Sequence, residues 1–451
     1  MTIKNKLASL RRNRDFNNVI YSLMSYAITP VILIISTPLL LKYLGDVNYG
    51  VWILINSIIN LLAVSNFGLG NALIKLGSEL NKDDQLEQFN ALFSVSFTIS
   101  IMLALLINVI ILLFGTYIFP LFVSAGSIDS ILSMSYLLSG VVGLRIVNSI
   151  ISGAYMSKQR YDINSKMNIV YNLVTSICFT VLTVMYGELH ILVIFLFLSS
   201  VLLIVVNYFV AKAAVPGIRF KLSLNKRLFH KIFGYGMYSW VQVVISTLNA
   251  QADKLIIGGL LGAKVLGFYT ICMQIVIKIH EIPAAAGGYL FAKFSDLSES
   301  EDRNKIRSVY YKAISLSFLF VAVSGALAFL FARHILSLWI NPEFAEQHYM
   351  LFRLLVVSVS MGALGVVPYY FLNGTGFVKL NTVISLLTSV MIVILFFLLI
   401  PRFGVTAIGI AKFAGVPLVL FSIYFIEKKV MRKAAVQKEE PVNLRFDRKG
   451  L

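Results

Sequence analysis

The sequence predicts an all-α polytopic membrane protein: 12 transmembrane helices in two pseudo-symmetric six-helix bundles, with both termini cytoplasmic. Three observations lead there. Of the 451 residues, 58% are hydrophobic and only 13% are charged, and a soluble chain needs far more charge to cover its surface. Apolar runs of about 20 residues, the length that crosses a hydrocarbon core of about 30 Å as a helix, recur along the whole chain. The chain also repeats itself at an offset of 217 residues. Tyr21-Ser22 matches Tyr238-Ser239, Leu44-Gly45 matches Leu261-Gly262, Gly50 matches Gly267 and Gly70 matches Gly287. Ser78-Glu79-Leu80 matches Ser295-Asp296-Leu297. Between positions 21 and 80, 11 residues are identical, where roughly 5 are expected by chance in so apolar a composition. The matches fall at helix ends and in loops. A membrane chain of two similar halves is a common transporter plan, with substrate held where the halves meet.

In chain order, a basic cytoplasmic tail occupies residues 1–18 and carries Lys4, Lys6, Arg11, Arg12 and Arg14. It is too polar, and the apolar run behind it too long, for a cleavable signal peptide. Six spans are expected within residues 19–211, at about 19–43, 49–75, 89–114, 131–156, 167–186 and 191–210. A basic linker at 212–231 separates the copies. Six further spans are expected within residues 232–427, at about 232–260, 265–290, 313–331, 350–372, 380–400 and 405–426. A polar cytoplasmic tail, 428–451, closes the chain. On this plan the inner tails and loops hold 30 Lys and Arg, and the outer turns hold 4. That asymmetry sets the orientation, because cytoplasmic loops retain basic residues. It also accounts for the net charge of +18 without nucleic acid.

The five remaining basic residues lie within spans: Arg145, Lys254, Lys278, Arg353 and Lys412. Two acids accompany them, Asp253 and Glu281. An intramembrane charge is costly and usually faces a bundle interior or a wet cavity. Snorkelling explains Arg353, near a span end. Lys278 and Glu281, three apart, can pair on one helix. Arg145 lies mid-span with no local partner and is the strongest functional candidate. Positions three and four apart share a helix face. Four polar stripes follow: Arg145, Asn148, Ser149 and Ser152; Gln242, Ser246, Asn249 and Asp253; Thr270, Gln274, Lys278 and Glu281; Trp52, Asn56, Asn60 and Asn71. Together they predict a net basic cavity, with Arg145 and Lys278 at similar depth. Such a cavity suits an anion, and guanidinium grips phosphate through paired hydrogen bonds. The substrate-binding candidates are therefore Arg145, Lys278, Lys254, Lys412, Asn56, Asn60, Gln242, Asn249 and Gln274. Asp253 and Glu281 are candidates for ion coupling or charge pairing.

No catalytic signature is present. The chain has no GxxxxGK[ST] phosphate loop and no HExxH. The reading is a non-enzyme without cofactor or metal site, driven by a proton or sodium gradient. Cys178 and Cys272 sit in apolar runs and are expected as free thiols.

NFGLGNALIK, after the second apolar run, resembles the "GLG" helix end of bacterial polysaccharide exporters. ADKLIIGGLLGAKVLGFYTICMQI matches the pattern of the same proteins at Asp253, Gly262, Gly267 and Tyr269. LIPRFGVTAIGIA is also similar. The chain thus resembles the Wzx-type lipid-linked oligosaccharide flippases, of the multidrug/oligosaccharidyl-lipid/polysaccharide exporter superfamily. The resemblance implies a MATE-like fold, two six-helix bundles facing each other in a V, alternating access, and a bacterial inner membrane. It implies a cargo of undecaprenyl-pyrophosphate-linked glycan, an O-antigen, capsule or exopolysaccharide unit. Membrane lipids and polysaccharide polymerase machinery are the other expected partners. Asn66 stands where many relatives carry an acid, so no coupling role is assigned to it. Two competing readings are an ion-coupled multidrug exporter, dependent on Asp253 or Glu281, and a non-transporting scaffold for glycan assembly.

Overall fold

The computed structural model describes residues 14–80, 85–123, 125–299 and 303–431. Most of both tails lies outside them. The described chain is almost wholly helical, and it divides into two compact units, 1–268 and 269–451.

The first unit opens with helix α1 (Arg14–Leu62), 49 residues long. At 1.5 Å per residue that is about 73 Å, more than twice the hydrocarbon core. The helix is broken at Gly45, where φ is 76° and ψ is 167°, a conformation that suits glycine. A 3-10 turn at Ala63–Asn66 follows. Phe67 and Gly68 then both turn left-handed, at φ 49° and 68°, and α2 (Leu69–Ser78) begins. The run expected as one span at 49–75 is therefore two helices. The cause is the NFGLG stretch: Asn66 Oδ1 accepts the Gly68 N–H at 3.0 Å and fixes the turn.

Helices α3 (Leu86–Ile118), α4 (Ala125–Ser133), α5 (Ser135–Met156), α6 (Tyr161–Tyr186) and α7 (Leu189–Ala214) continue the unit. Helix α8 (Lys226–Leu260) is capped by Asn225, whose side chain accepts the N–H groups of Arg227 and Leu228. It packs on α1 and α2, so it belongs to the first unit and the compact division falls later in the chain than the basic segment 212–231. Gly68 meets the Gly236 backbone there. The Phe67 ring lies 5.1 Å from Trp240 and 5.9 Å from Phe233.

Helix α9 (Ala263–Val276) begins after a second break, at Gly262, φ 88°. Gly262 is the repeat counterpart of Gly45. The two breaks pack reciprocally. A Cβ on Gly50 would meet the Ala263 carbonyl oxygen, and one on Gly267 would lie 3.4 Å from the Asp46 oxygen. Residues 46 and 263 are themselves counterparts. Lys264 and Asp46 close the joint with an ion pair at 3.2 Å.

The second unit continues with α10 (Lys278–Ala285), α11 (Gly287–Glu299), α12 (Arg303–Leu330), α13 (Ala332–Trp339), α14 (Pro342–Ala363), α15 (Val366–Gly374), α16 (Val378–Phe403), α17 (Thr406–Lys412) and α18 (Val416–Phe425). The charged segment between the spans expected at about 265–290 and 313–331 is largely helical, because α11 and α12 run on beyond their apolar stretches.

Among the described residues, ten stretches are long and apolar enough to cross a membrane. The expected twelve differ at two places. The broken α1 contributes a single stretch, and α8 is not among the ten. Its basic first turn and its Gln251, Asp253 and Lys254 dilute its apolar character.

The repeat reaches further in three dimensions than in sequence identity. The first unit's core contains Leu73, Phe89, Phe93, Ile150, Ala154 and Tyr155. The second unit's core contains Leu290, Ile306, Tyr310, Val367, Phe371 and Leu372. Each pair is separated by the same 217 residues. The volumes differ while the positions hold. Gly153 lies against Gly70 in one unit; their counterparts in the other are Tyr370 and Gly287, also in contact.

Polar bridges tie the helices at buried and half-buried positions. Asn207 of α7 donates to Asn148 Oδ1 of α5 at 2.8 Å and accepts from the Tyr155 hydroxyl at 3.1 Å. That hydroxyl also lies 3.4 Å from Asn164 Oδ1 of α6. Asn381, the counterpart of Asn164, donates to Asn373 Oδ1 at 3.0 Å in the second unit. Interhelical hydrogen bonds in a bilayer are worth about 0.6–2 kcal/mol. Tyr155→Phe should therefore cost about 1 kcal/mol and lower the thermal midpoint by a few degrees, with transport retained. A thermal-shift measurement on the purified variant tests this.

Candidate functional site

Arg145 is residue 11 of the 22 in α5, so about 15 Å of helix lies on either side of it. Its Nη1 donates to Asn60 Oδ1 of α1 at 2.8 Å. The partner that the sequence did not reveal is thus an amide 85 residues away. An amide orients a guanidinium without neutralising it. Among the described residues Arg145 makes no ion pair with a carboxylate, and it also interacts electrostatically with Tyr171 of α6. Arg145 is half-buried and Asn60 is exposed. The pair therefore presents a full positive charge, at mid-helix, to an accessible surface of the first unit.

The other stripe residues divide. Asn148, next along α5, is engaged by Asn207. Ser149 and Ser152 donate to carbonyls of their own helix, and Ser149 lies against Gly70. Asn56 donates to the Trp52 carbonyl at 2.8 Å. Trp52 is buried, its ring 5.0 Å from Phe179, so it offers no open face. Asn71 lies on α2, beyond the break at Phe67-Gly68, and does not continue the α1 stripe. The α8 residues Gln242 and Asn249 have side chains outside the described residues. Lys254 reaches the Ala250 carbonyl at 3.4 Å and Gln251 Oε1 at 3.3 Å, while its backbone N–H donates to Asp253 Oδ1.

In the second unit, Lys278 and Glu281 form a direct ion pair on α10. Lys278 is half-buried and Glu281 exposed. Gln274 is half-buried on α9, and Lys412 is half-buried at the end of α17. Arg353 donates from Nε to the Phe329 carbonyl at 3.0 Å and covers the rings of Phe329 and Tyr349. That is a packing role for the residue expected to snorkel. Cys178 and Cys272 are free.

Sequence reading missed the Tyr155, Asn164 and Asn207 bridge. One signal could have found it. Asn207 stands alone in the apolar run LLIVVNYFVA, and an amide at that depth must find an interhelical partner.

The model of the family described as "Polysaccharide biosynthesis protein" matches residues 39–349, more than two thirds of the chain. The chain belongs to the polysaccharide biosynthesis protein family. Among the relatives of this family member, the "Putative O-antigen transporter" of Shigella flexneri is 22% identical over 399 residues, covering 87% of this chain and 93% of that one. The "Capsular polysaccharide biosynthesis protein CapF" of Staphylococcus aureus is 21% identical over 267 residues, covering 58% and 66%. Among solved structures, the inward closed form of the lipid II flippase MurJ superposes with TM-score 0.74 at 15% identity, covering 90% of this chain and 87% of that one. An inward-facing multidrug resistance MATE family transporter gives 0.64 at 16%, covering 92% and 96%. The family member thus has the MurJ and MATE fold and is a multi-pass membrane protein.

Proposed function

We propose that the protein is a flippase for undecaprenyl-pyrophosphate-linked oligosaccharide repeat units, carrying them from the cytoplasmic to the outer leaflet of the bacterial inner membrane by alternating access. The observation that carries this reading is Arg145, held by Asn60 at mid-helix with its charge uncompensated by a carboxylate. Such a group fits the pyrophosphate, which gains paired, charge-assisted hydrogen bonds from a guanidinium. Asparagine and glutamine side chains of the stripes fit the glycan hydroxyls, and the lipid tail stays in the bilayer. In this reading α1 crosses twice around Gly45 and α8 crosses once, giving twelve spans with both termini cytoplasmic. A proton or sodium gradient drives the cycle, and polymerase machinery receives the unit. The drug-exporter reading has less support, since Glu281 is already neutralised by Lys278.

A gene deletion tests the proposal. The expected result is loss of surface glycan, with complete repeat units trapped on undecaprenyl pyrophosphate in the cytoplasmic leaflet. Unchanged glycan with new sensitivity to cationic drugs would overturn it.

A further inference from the structure

Between α7 and α8 the chain does not loop freely. After a turn at residues 215–217, closed by the Ile218 N–H donating to the Val215 carbonyl, residues 218–225 form a strap along α3. Asn90 of α3 grips it twice, donating to the Gly217 carbonyl at 3.0 Å and accepting the Arg219 N–H at 3.0 Å. Further on, Thr98 Oγ1 accepts the Ser223 N–H at 2.9 Å. Phe220 packs against Phe93, Phe97 and Tyr208, with ring centroids 5.0, 5.6 and 4.6 Å away.

The pinned strap is apolar at every second residue: Ile218, Phe220, Leu222 and Leu224. Ile218 and Phe220 face the protein. Leu222 and Leu224 are 70% and 71% exposed, and Phe229 in the first turn of α8 is exposed too. The backbone bonds hold the strap in place, so these side chains have no route inward. Around them stand Lys212, Arg219, Lys221, Lys226, Arg227 and Lys231, all exposed, and residues 212–231 contain no acid. The strap lies outside the apolar stretches long enough to cross a membrane. Its partner α3 has 33 residues, about 50 Å, which leaves about 20 Å beyond a core of about 30 Å. The strap therefore sits along a helix long enough to reach through the headgroup layer.

We propose that the strap is a binding surface for anionic phospholipid: Leu222, Leu224 and Phe229 enter the acyl boundary and the six basic side chains hold phosphate headgroups. Exposed apolar groups ringed by cations with no acid fit that chemistry. A neutral or acidic protein surface would match the charge only by supplying every counter-ion itself, whereas an anionic leaflet supplies them as a continuous layer.

The test uses the full chain carrying Cys178→Ser, Cys272→Ser and Leu222→Cys, with an environment-sensitive fluorophore at position 222. It is reconstituted in vesicles of phosphatidylcholine alone or mixed equally with phosphatidylglycerol. The expected result is blue-shifted emission in the mixed vesicles that high salt reverses. Lys221→Gln, Lys226→Gln and Arg227→Gln should each reduce the inserted population about fivefold. The same label at Lys166, exposed on α6, should not respond to lipid charge and controls for folding. Water-like emission at 222 in both vesicles would overturn the proposal. So would equal insertion in both, or a shift that needs an added cytoplasmic protein fraction, which would reassign the surface to a protein partner.

Discussion

Arg145→Ala should cut glycan export by at least about tenfold while the protein still folds and reaches the membrane. The guanidinium makes one modest bond inside the protein, to the Asn60 amide, and losing it leaves no buried charge behind. The proposed cargo loses much more. Hydrogen bonds to charged groups contribute about 1.5–3 kcal/mol, so export should fall by at least about tenfold. Arg145→Lys keeps the charge without the planar fork and should fall between the two. Asn60→Ala removes the orienting partner and should weaken export less than Arg145→Ala. Each variant is expressed in the deletion strain and scored for surface glycan against its membrane abundance. Normal export by Arg145→Ala at normal abundance would remove this residue from the site.

Gly50→Val should eliminate folded protein altogether. A Cβ at this position would lie 1.7 Å from the Ala263 carbonyl oxygen and 2.3 Å from its carbon. Both are backbone atoms, so no side chain can rotate away to make room. The glycine hydrogen in that direction points at the carbonyl, a Cα–H···O contact that only glycine allows at this spacing. Separating the two breaks would also pull apart Lys264 and Asp46. Overpacking commonly costs about 1–3 kcal/mol where side chains can yield, and backbone against backbone should exceed it. Gly362→Ala is the control. A Cβ there meets nothing within 4 Å, in the last turn of α14, and the change should be neutral or slightly stabilising. Gel filtration in mild detergent separates the outcomes. A monodisperse Gly50→Val protein would show that the joint opens without loss of the fold.

The membrane class, the span positions and the repeat were legible because each rests on local pattern. Gly45 and Gly262 could be paired on sequence alone, and both turned out to be helix breaks of positive φ. Arg145 could be singled out, since a charge in an apolar run stands out by itself. Its partner could not, because Asn60 is brought to it only by packing of α1 on α5. Helical spacing placed Asn56 and Trp52 beside Asn60. It could not show that Asn56 would turn back on its own helix, or that Trp52 would be covered by Phe179. Composition marked 212–231 as basic, while its strapping to α3 depends on Asn90 and Thr98, more than a hundred residues earlier.

The unequal volumes at equivalent core positions carry an evolutionary consequence. In the first unit the aromatic bulk sits on α3, as Phe89 and Phe93, opposite the small Gly77 and Ala154. In the second unit Phe294 and Phe371 replace that glycine and alanine, their rings 5.0 Å apart, and Ile306 replaces Phe89. Each half has settled its own volume balance. A genetic exchange between the two copies that crossed within this region would bring together either two sets of aromatic rings or too few. Such recombinants would be overfilled or hollow at the core. Selection against them would keep the duplicated halves from being made uniform again, leaving Arg145, whose counterpart is Gly362, free to specialise in one half alone.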